Sequence, residues 1–142
     1  MNKITIETNI NAPIEKVWKY WNEPEHITKW AFASDDWEAP HATNDLTVGG
    51  TFVTTMAAKD KSVSFDFGGT YTNIIPNELI EYTMDKFSGE EVGRNVSISF
   101  EDLGQKTKIT ETFDPKQENP EEMQRGGWEV ILDNFKKYTE SN

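Results

Sequence analysis

A reactive centre in this chain would have to be assembled from few of the usual parts. Two histidines, two arginines and no cysteine stand beside 25 aspartates and glutamates. Without a thiol there is no thiolate nucleophile, no disulfide and no cysteine-bound metal. His26 and His41 have no partner at metal-ligand spacing along the sequence, so no metal centre is expected. The glycine pairs Gly49-Gly50, Gly68-Gly69 and Gly126-Gly127 fall at a strand end, within a strand and within a helix. None has the strand-to-helix setting of a phosphate loop, a dinucleotide fingerprint or a nucleophile elbow, and no cofactor is implied.

The carboxylate that invites chemistry is Glu111. It shares period-two parity with Ile109 and Phe113, so in a regular strand it points to the apolar side. There it would need a cationic partner or would hold its proton to unusually high pH. An edge position or a local bulge that turns it outward is the simpler reading and the preferred one. Asp66 is a second candidate acid or base. Arg94 and Arg125 are candidate partners for a carboxylate or for an anionic ligand group, although a solvated surface position would account for either. Around these few polar groups lie 17 aromatic residues, five of them tryptophan, enough to require a large core or a lined pocket.

The elements that must position these groups follow from periodicity. Ile4, Ile6 and Ile10 alternate with polar residues as in a half-buried strand. Pro13 then opens a helix carrying Ile14, Val17, Trp18 and Trp21, and a second short helix runs from Pro24 to about Trp30. From Ala31 to Ala42 the chain reads as a flap, loop-like but unusually apolar. Six strands are expected beyond it: Asn44 to Val48, Thr51 to Ala58, Ser62 to Ile75, Leu79 to Asp85, Arg94 to Glu101 and Lys106 to Phe113, the fourth ending near Ser88-Gly89. Parity gives each strand one apolar face: Phe52 with Met56; Val63 with Phe65, Phe67 and Tyr71; Ile80 with Tyr82 and Met84; Val96 with Ile98 and Phe100.

The last helix organises the rest. Asn119, Pro120, Glu121 and Glu122 mark its start, and Trp128, Ile131, Leu132, Phe135 and Tyr138 form its apolar stripe. Gly126-Gly127 breaks good helix chemistry at a cost of roughly 1 kcal/mol each relative to alanine. Either the pair serves a kink or a close approach to a strand, the preferred reading, or it opens one end of a cavity. The order β-α-α-β-β-β-β-β-β-α predicts an α+β domain over residues 1–142, a curved antiparallel sheet wrapped around one helix. Gly68-Gly69 is a plausible bend in the longest strand.

The net charge of −11 argues against nucleic acid or an anionic membrane as partner. No apolar signal segment and no run of membrane-spanning length is present, so a cytoplasmic, soluble protein is expected.

Four stretches carry a resemblance to a known family: Ala12-Pro13-Ile14-Glu15-Lys16-Val17-Trp18, Pro24-Glu25-His26-Ile27-Thr28-Lys29-Trp30, Asn44-Asp45-Leu46-Thr47-Val48-Gly49-Gly50 and Gly126-Gly127-Trp128-Glu129-Val130-Ile131-Leu132-Asp133-Asn134-Phe135. They resemble the SRPBCC superfamily, the START-like or helix-grip fold, and within it the stand-alone bacterial form of the family named for the activator of the heat-shock-protein-ninety ATPase. The resemblance implies a seven-stranded antiparallel sheet gripping the C-terminal helix, with a cavity between them that in many relatives holds an apolar or aromatic small molecule.

A ligand-binding module is therefore the leading expectation. Phe52, Met56, Phe65, Phe67, Tyr71, Tyr82, Met84, Trp128 and Leu132 would line the chamber with Glu111; Trp30, Phe32 and Trp37 would close its mouth, and Arg125 would help to orient the ligand. The same residues would equally fill a solid core. An enzyme of cyclase or hydrolase type using Glu111 or Asp66, and a protein that stimulates a chaperone ATPase, are the alternatives.

Overall fold

The computed structural model describes residues 3–32, 35–84, 95–114 and 121–142. The elements run β1 (Ile4–Ile10), α1 (Ile14–Asn22), α2 (Pro24–Trp30), β2 (Trp37–Asn44), β3 (Thr51–Ala58), β4 (Ser64–Ile75), β5 (Leu79–Met84), β6 (Asn95–Asp102), β7 (Thr107–Phe113) and α3 (Glu121–Ser141). The expected helix start at Asn119-Pro120, the turn near Ser88-Gly89 and the candidate Arg94 lie outside the described residues.

All seven strands form one antiparallel sheet in the order β1-β7-β6-β5-β4-β3-β2. Consecutive strands pair in turn from β2 to β7, and β1 closes against β7. Short connections make this meander the cheapest pairing, since each hairpin brings its partner into register with little loop entropy to lose.

One strand was misplaced by the sequence reading. Residues 45–50, expected to continue a strand to Val48, form a turn, and the edge strand β2 instead occupies half of the expected flap. A proline interrupts a regular ladder, and β2 contains one. The structure places Pro40 where the β2–β3 register skips between Glu38 and His41, so its missing N–H costs no regular pair. The turn docks on β4 through Gly49 N–H to the Tyr71 carbonyl and Tyr71 N–H to the Gly50 carbonyl, both 2.9 Å. Gly49 has φ +87°, and a side chain at Gly50 would collide with the Asp45 carbonyl, so both glycines of the pair are needed.

The helix α3 lies across the sheet, clamped to β1 along one flank. The Arg125 guanidinium donates to the Thr5 carbonyl at 2.6 Å, Lys136 Nζ to the Asn9 carbonyl at 2.5 Å, and Asn11 N–H to the Glu140 carboxylate at 2.8 Å. On the inner face Leu132 and Phe135 are fully buried, with Trp21 and Trp30 set edge-on to Phe135 at 4.8 and 4.9 Å. Those tryptophans come from α1 and α2, which cap the sheet at the C-terminal half of α3. Among the described residues no helix is long and apolar enough to cross a membrane.

Candidate functional site

Under the N-terminal half of α3 the interior is hollow. A cavity of about 490 Å³ lies between α3 and the concave face formed by β3, β4 and β5. Its walls are aromatic. Phe52 meets Tyr82 edge-on at 4.8 Å and Tyr71 at 5.3 Å, a close approach that Gly69 permits, because a Cβ there would come within 2.8 Å of the Tyr82 ring. Trp128 stacks flat on Phe113 of β7 at 3.9 Å and stands edge-on to Phe67 of β4 at 6.1 Å, joining helix and sheet across the chamber.

Of the expected site residues, Trp30, Phe32, Trp37, Phe52, Met56, Phe65, Phe67, Tyr71, Tyr82, Met84, Glu111 and Trp128 line this cavity. Two do not. Leu132 is packed into the solid core beside Phe135, and Arg125 is spent on the β1 carbonyl outside the chamber. Trp30, expected at the mouth, is instead buried, its Nε1–H donating to the Tyr20 carbonyl at 3.0 Å. The mouth is framed by Phe32, Trp37 and Phe65, with Trp37 edge-on to Phe65 at 5.8 Å and Phe65 43% exposed. Val63, placed by parity on the apolar face, precedes β4 and is exposed.

The helix α3 runs through Gly126 and Gly127, and a Cβ on either would meet nothing within 4 Å, so no strand approaches the helix closely there. Gly127 lines the cavity.

The outward reading of Glu111 fails as well. It pairs in register with Ile6 of β1 and Ile98 of β6, with no bulge, and its side chain points inward at 5% exposure. No cation or hydrogen-bond partner meets its carboxyl among the described residues. Desolvation alone raises it from an ordinary 4.5 to about 8, so it carries its proton at neutral pH. Asp66 lies on the other face of β4, exposed and accepting from Thr55 Oγ1 at 2.7 Å, and takes no part in the cavity.

Beside the expected Tyr71, the wall carries Asn22, Asn44 and Thr54, polar groups that the sequence pattern does not single out. Tyr71 Oη donates to Asn44 Oδ1 at 2.5 Å, Asn44 Nδ2 to the Asn22 carbonyl at 2.7 Å, and Asn22 Nδ2 to the Trp18 carbonyl at 2.9 Å. Burial raises the Tyr71 phenol well above its ordinary range. Thr54 is buried at the cavity wall. Its parity with Phe52 and Met56 was the available signal; Asn22 and Asn44, at element ends, gave none.

Outside the cavity, Glu23, Glu25 and His26 bring ligand-type atoms within 4.8 Å of one another, a proximity the spacing had not suggested. His26 Nδ1 is engaged by Tyr138 Oη at 2.7 Å and its ring stacks on Tyr20 at 4.0 Å, a structural role at the helix junction.

Residues 11–140 match the family described as "Activator of Hsp90 ATPase homolog 1-like protein". The AHSA1-like protein from Aeromonas hydrophila, known in solution, is 42% identical, with a TM-score of 0.89 over 98% of this chain and 92% of its own. A protein of Cytophaga hutchinsonii, also known in solution, is 56% identical over 100% of this chain and 94% of its own, with a TM-score of 0.81. The Aha1 dimer from Colwellia psychrerythraea, 21% identical over 99% of this chain and 97% of its own, shares the fold with a TM-score of 0.71. No curated protein matches the chain.

Proposed function

The chain belongs to the family of Activator of Hsp90 ATPase homolog 1-like proteins, and from that premise we propose that it is a binding module holding one small apolar or aromatic molecule between sheet and helix. The observation that carries this reading is the hollow itself. A volume of about 490 Å³ is walled by aromatic rings beneath a helix whose Gly127 borders it without a side chain. Cavities of this size, mostly apolar with a few fixed polar groups, suit a ligand of two or three rings or a short lipid-like chain.

A thermal-shift screen of neutral and charged aromatics, polyketides and lipids, followed by tryptophan quenching, tests it. A ligand at one hundred times its Kd stabilises the fold by about 2.7 kcal/mol, a shift of several degrees at this chain length. Trp37 and Trp128, both at the cavity wall, supply the optical signal. No shift and no quenching across the panel would leave the binding reading without support.

Glu111 favours a second reading, in which the bound molecule is changed by a cyclase or hydrolase step with this protonated acid as proton donor. Glu111→Gln would then abolish turnover while the fold persists; unchanged turnover would remove Glu111 from any mechanism.

A further inference from the structure

Resting on the binding reading, the polar chemistry inside the cavity narrows the class of ligand. Glu111 is almost fully buried, faces the hollow and has no partner among the described residues. A group of this kind is costly to leave unmatched, and the matching group is missing from the protein side. The described residues that line the chamber include no lysine, arginine or histidine; apart from Glu111, the titratable groups facing it are the phenols of Tyr71 and Tyr82. The remaining wall offers aromatic faces, which attract cations through their quadrupoles and repel anions. The net charge of −11 acts in the same sense at long range, drawing cations to the mouth and turning carboxylates away.

We propose that the cavity takes an organic cation, an amine whose nitrogen meets the Glu111 carboxyl while its aryl or alkyl body lies against Phe52, Phe67 and Trp128. An aliphatic amine binds its proton with a pKa near that of lysine, about 10.4. It is therefore a stronger base than the Glu111 carboxylate and enters as ammonium. Glu111 then gives its own proton to solvent and the two charges pair, so the proton count closes with one proton released for each amine bound. A fatty-acid carboxylate has no counter-charge to meet there and would lose its hydration without return.

Titration calorimetry with three probes sharing one hydrocarbon body, 4-phenylbutylamine, 4-phenylbutan-1-ol and 4-phenylbutyrate, decides the matter at pH 7. The amine binds at least about tenfold more tightly than the alcohol, an ion pair being worth more than a neutral hydrogen bond, and the carboxylate binds most weakly. Measured in two buffers of different ionisation enthalpy, amine binding releases about 0.9 proton, the fraction Glu111 holds at that pH. Glu111→Gln brings the ratio of amine to alcohol affinity towards one. If the alcohol binds but the amine binds no more tightly, or the carboxylate binds best, or no proton is released, the cation inference is overturned while the cavity reading stands. If none of the three binds, both fall.

Discussion

Replacing Glu111 by glutamine should stabilise the protein, by an amount that grows with pH. In the folded chain the carboxyl is raised from 4.5 to about 8 by burial alone. Between those values the native state holds a proton that the unfolded chain has lost, so stability falls as pH rises through this window. There is no penalty below the lower value, and the full penalty applies above the upper one. A displacement of this size corresponds to about 5 kcal/mol at most, and to about 3 kcal/mol at pH 7, at 1.36 kcal/mol per unit. Glutamine keeps nearly the same shape and never ionises. Denaturant titrations of both proteins at pH 5, 6, 7 and 8 isolate the effect, because the remaining carboxylates titrate alike in each. The stability difference should widen by about 1.4 kcal/mol per pH unit and level off above the folded value. In thermal melts that is roughly 3–4 °C per pH unit for a domain of this length. A difference that stays constant from pH 5 to 8 would refute the picture of an unpartnered carboxyl in a dry wall.

Three further outcomes follow from the same packing. Tyr71→Phe removes the donor to Asn44 and leaves a half-buried amide oxygen unmatched, which should cost about 1 kcal/mol in chemical denaturation. Thr139 is fully buried on α3 and its hydroxyl has no partner, so Thr139→Val should raise stability by about 1 kcal/mol, read as a higher denaturation midpoint at unchanged slope. Because a Cβ at Gly126 or Gly127 meets nothing within 4 Å, alanine at either position should stabilise α3 by about 0.5–1 kcal/mol. A loss of stability at both sites would mean that a neighbour presses on the helix there.

Much of the fold was legible because it is local. The alternation through Ile4, Ile6 and Ile10, the proline starts of α1 and α2, and the three-and-four spacing from Trp128 to Tyr138 are each written in consecutive residues, and each formed the expected element. Parity also found most of the cavity wall, since side chains two apart on a strand must share a face. The failures share a cause. Residues 37–42 lack the alternation of a strand, and the bulge that lets Pro40 sit in β2 is a property of the β2–β3 pair. Trp30 looked like a lid because its position along the chain says nothing about Tyr20 and Phe135, which hold it inside.

The amino-acid sequence thus determined the element order, the apolar face of each strand, the lack of thiol chemistry and the acidic charge, all of which depend on composition or on neighbours a few residues apart. Only the tertiary structure decided that the interior is hollow beneath Gly127 and solid beneath Phe135, that Arg125 is tied to β1, and that Glu111 points inward without a counter-charge. Those facts concern space and charge left between elements far apart in sequence. The balance between a filled core and a chamber is set by how the sheet curves around the helix, which no local pattern records.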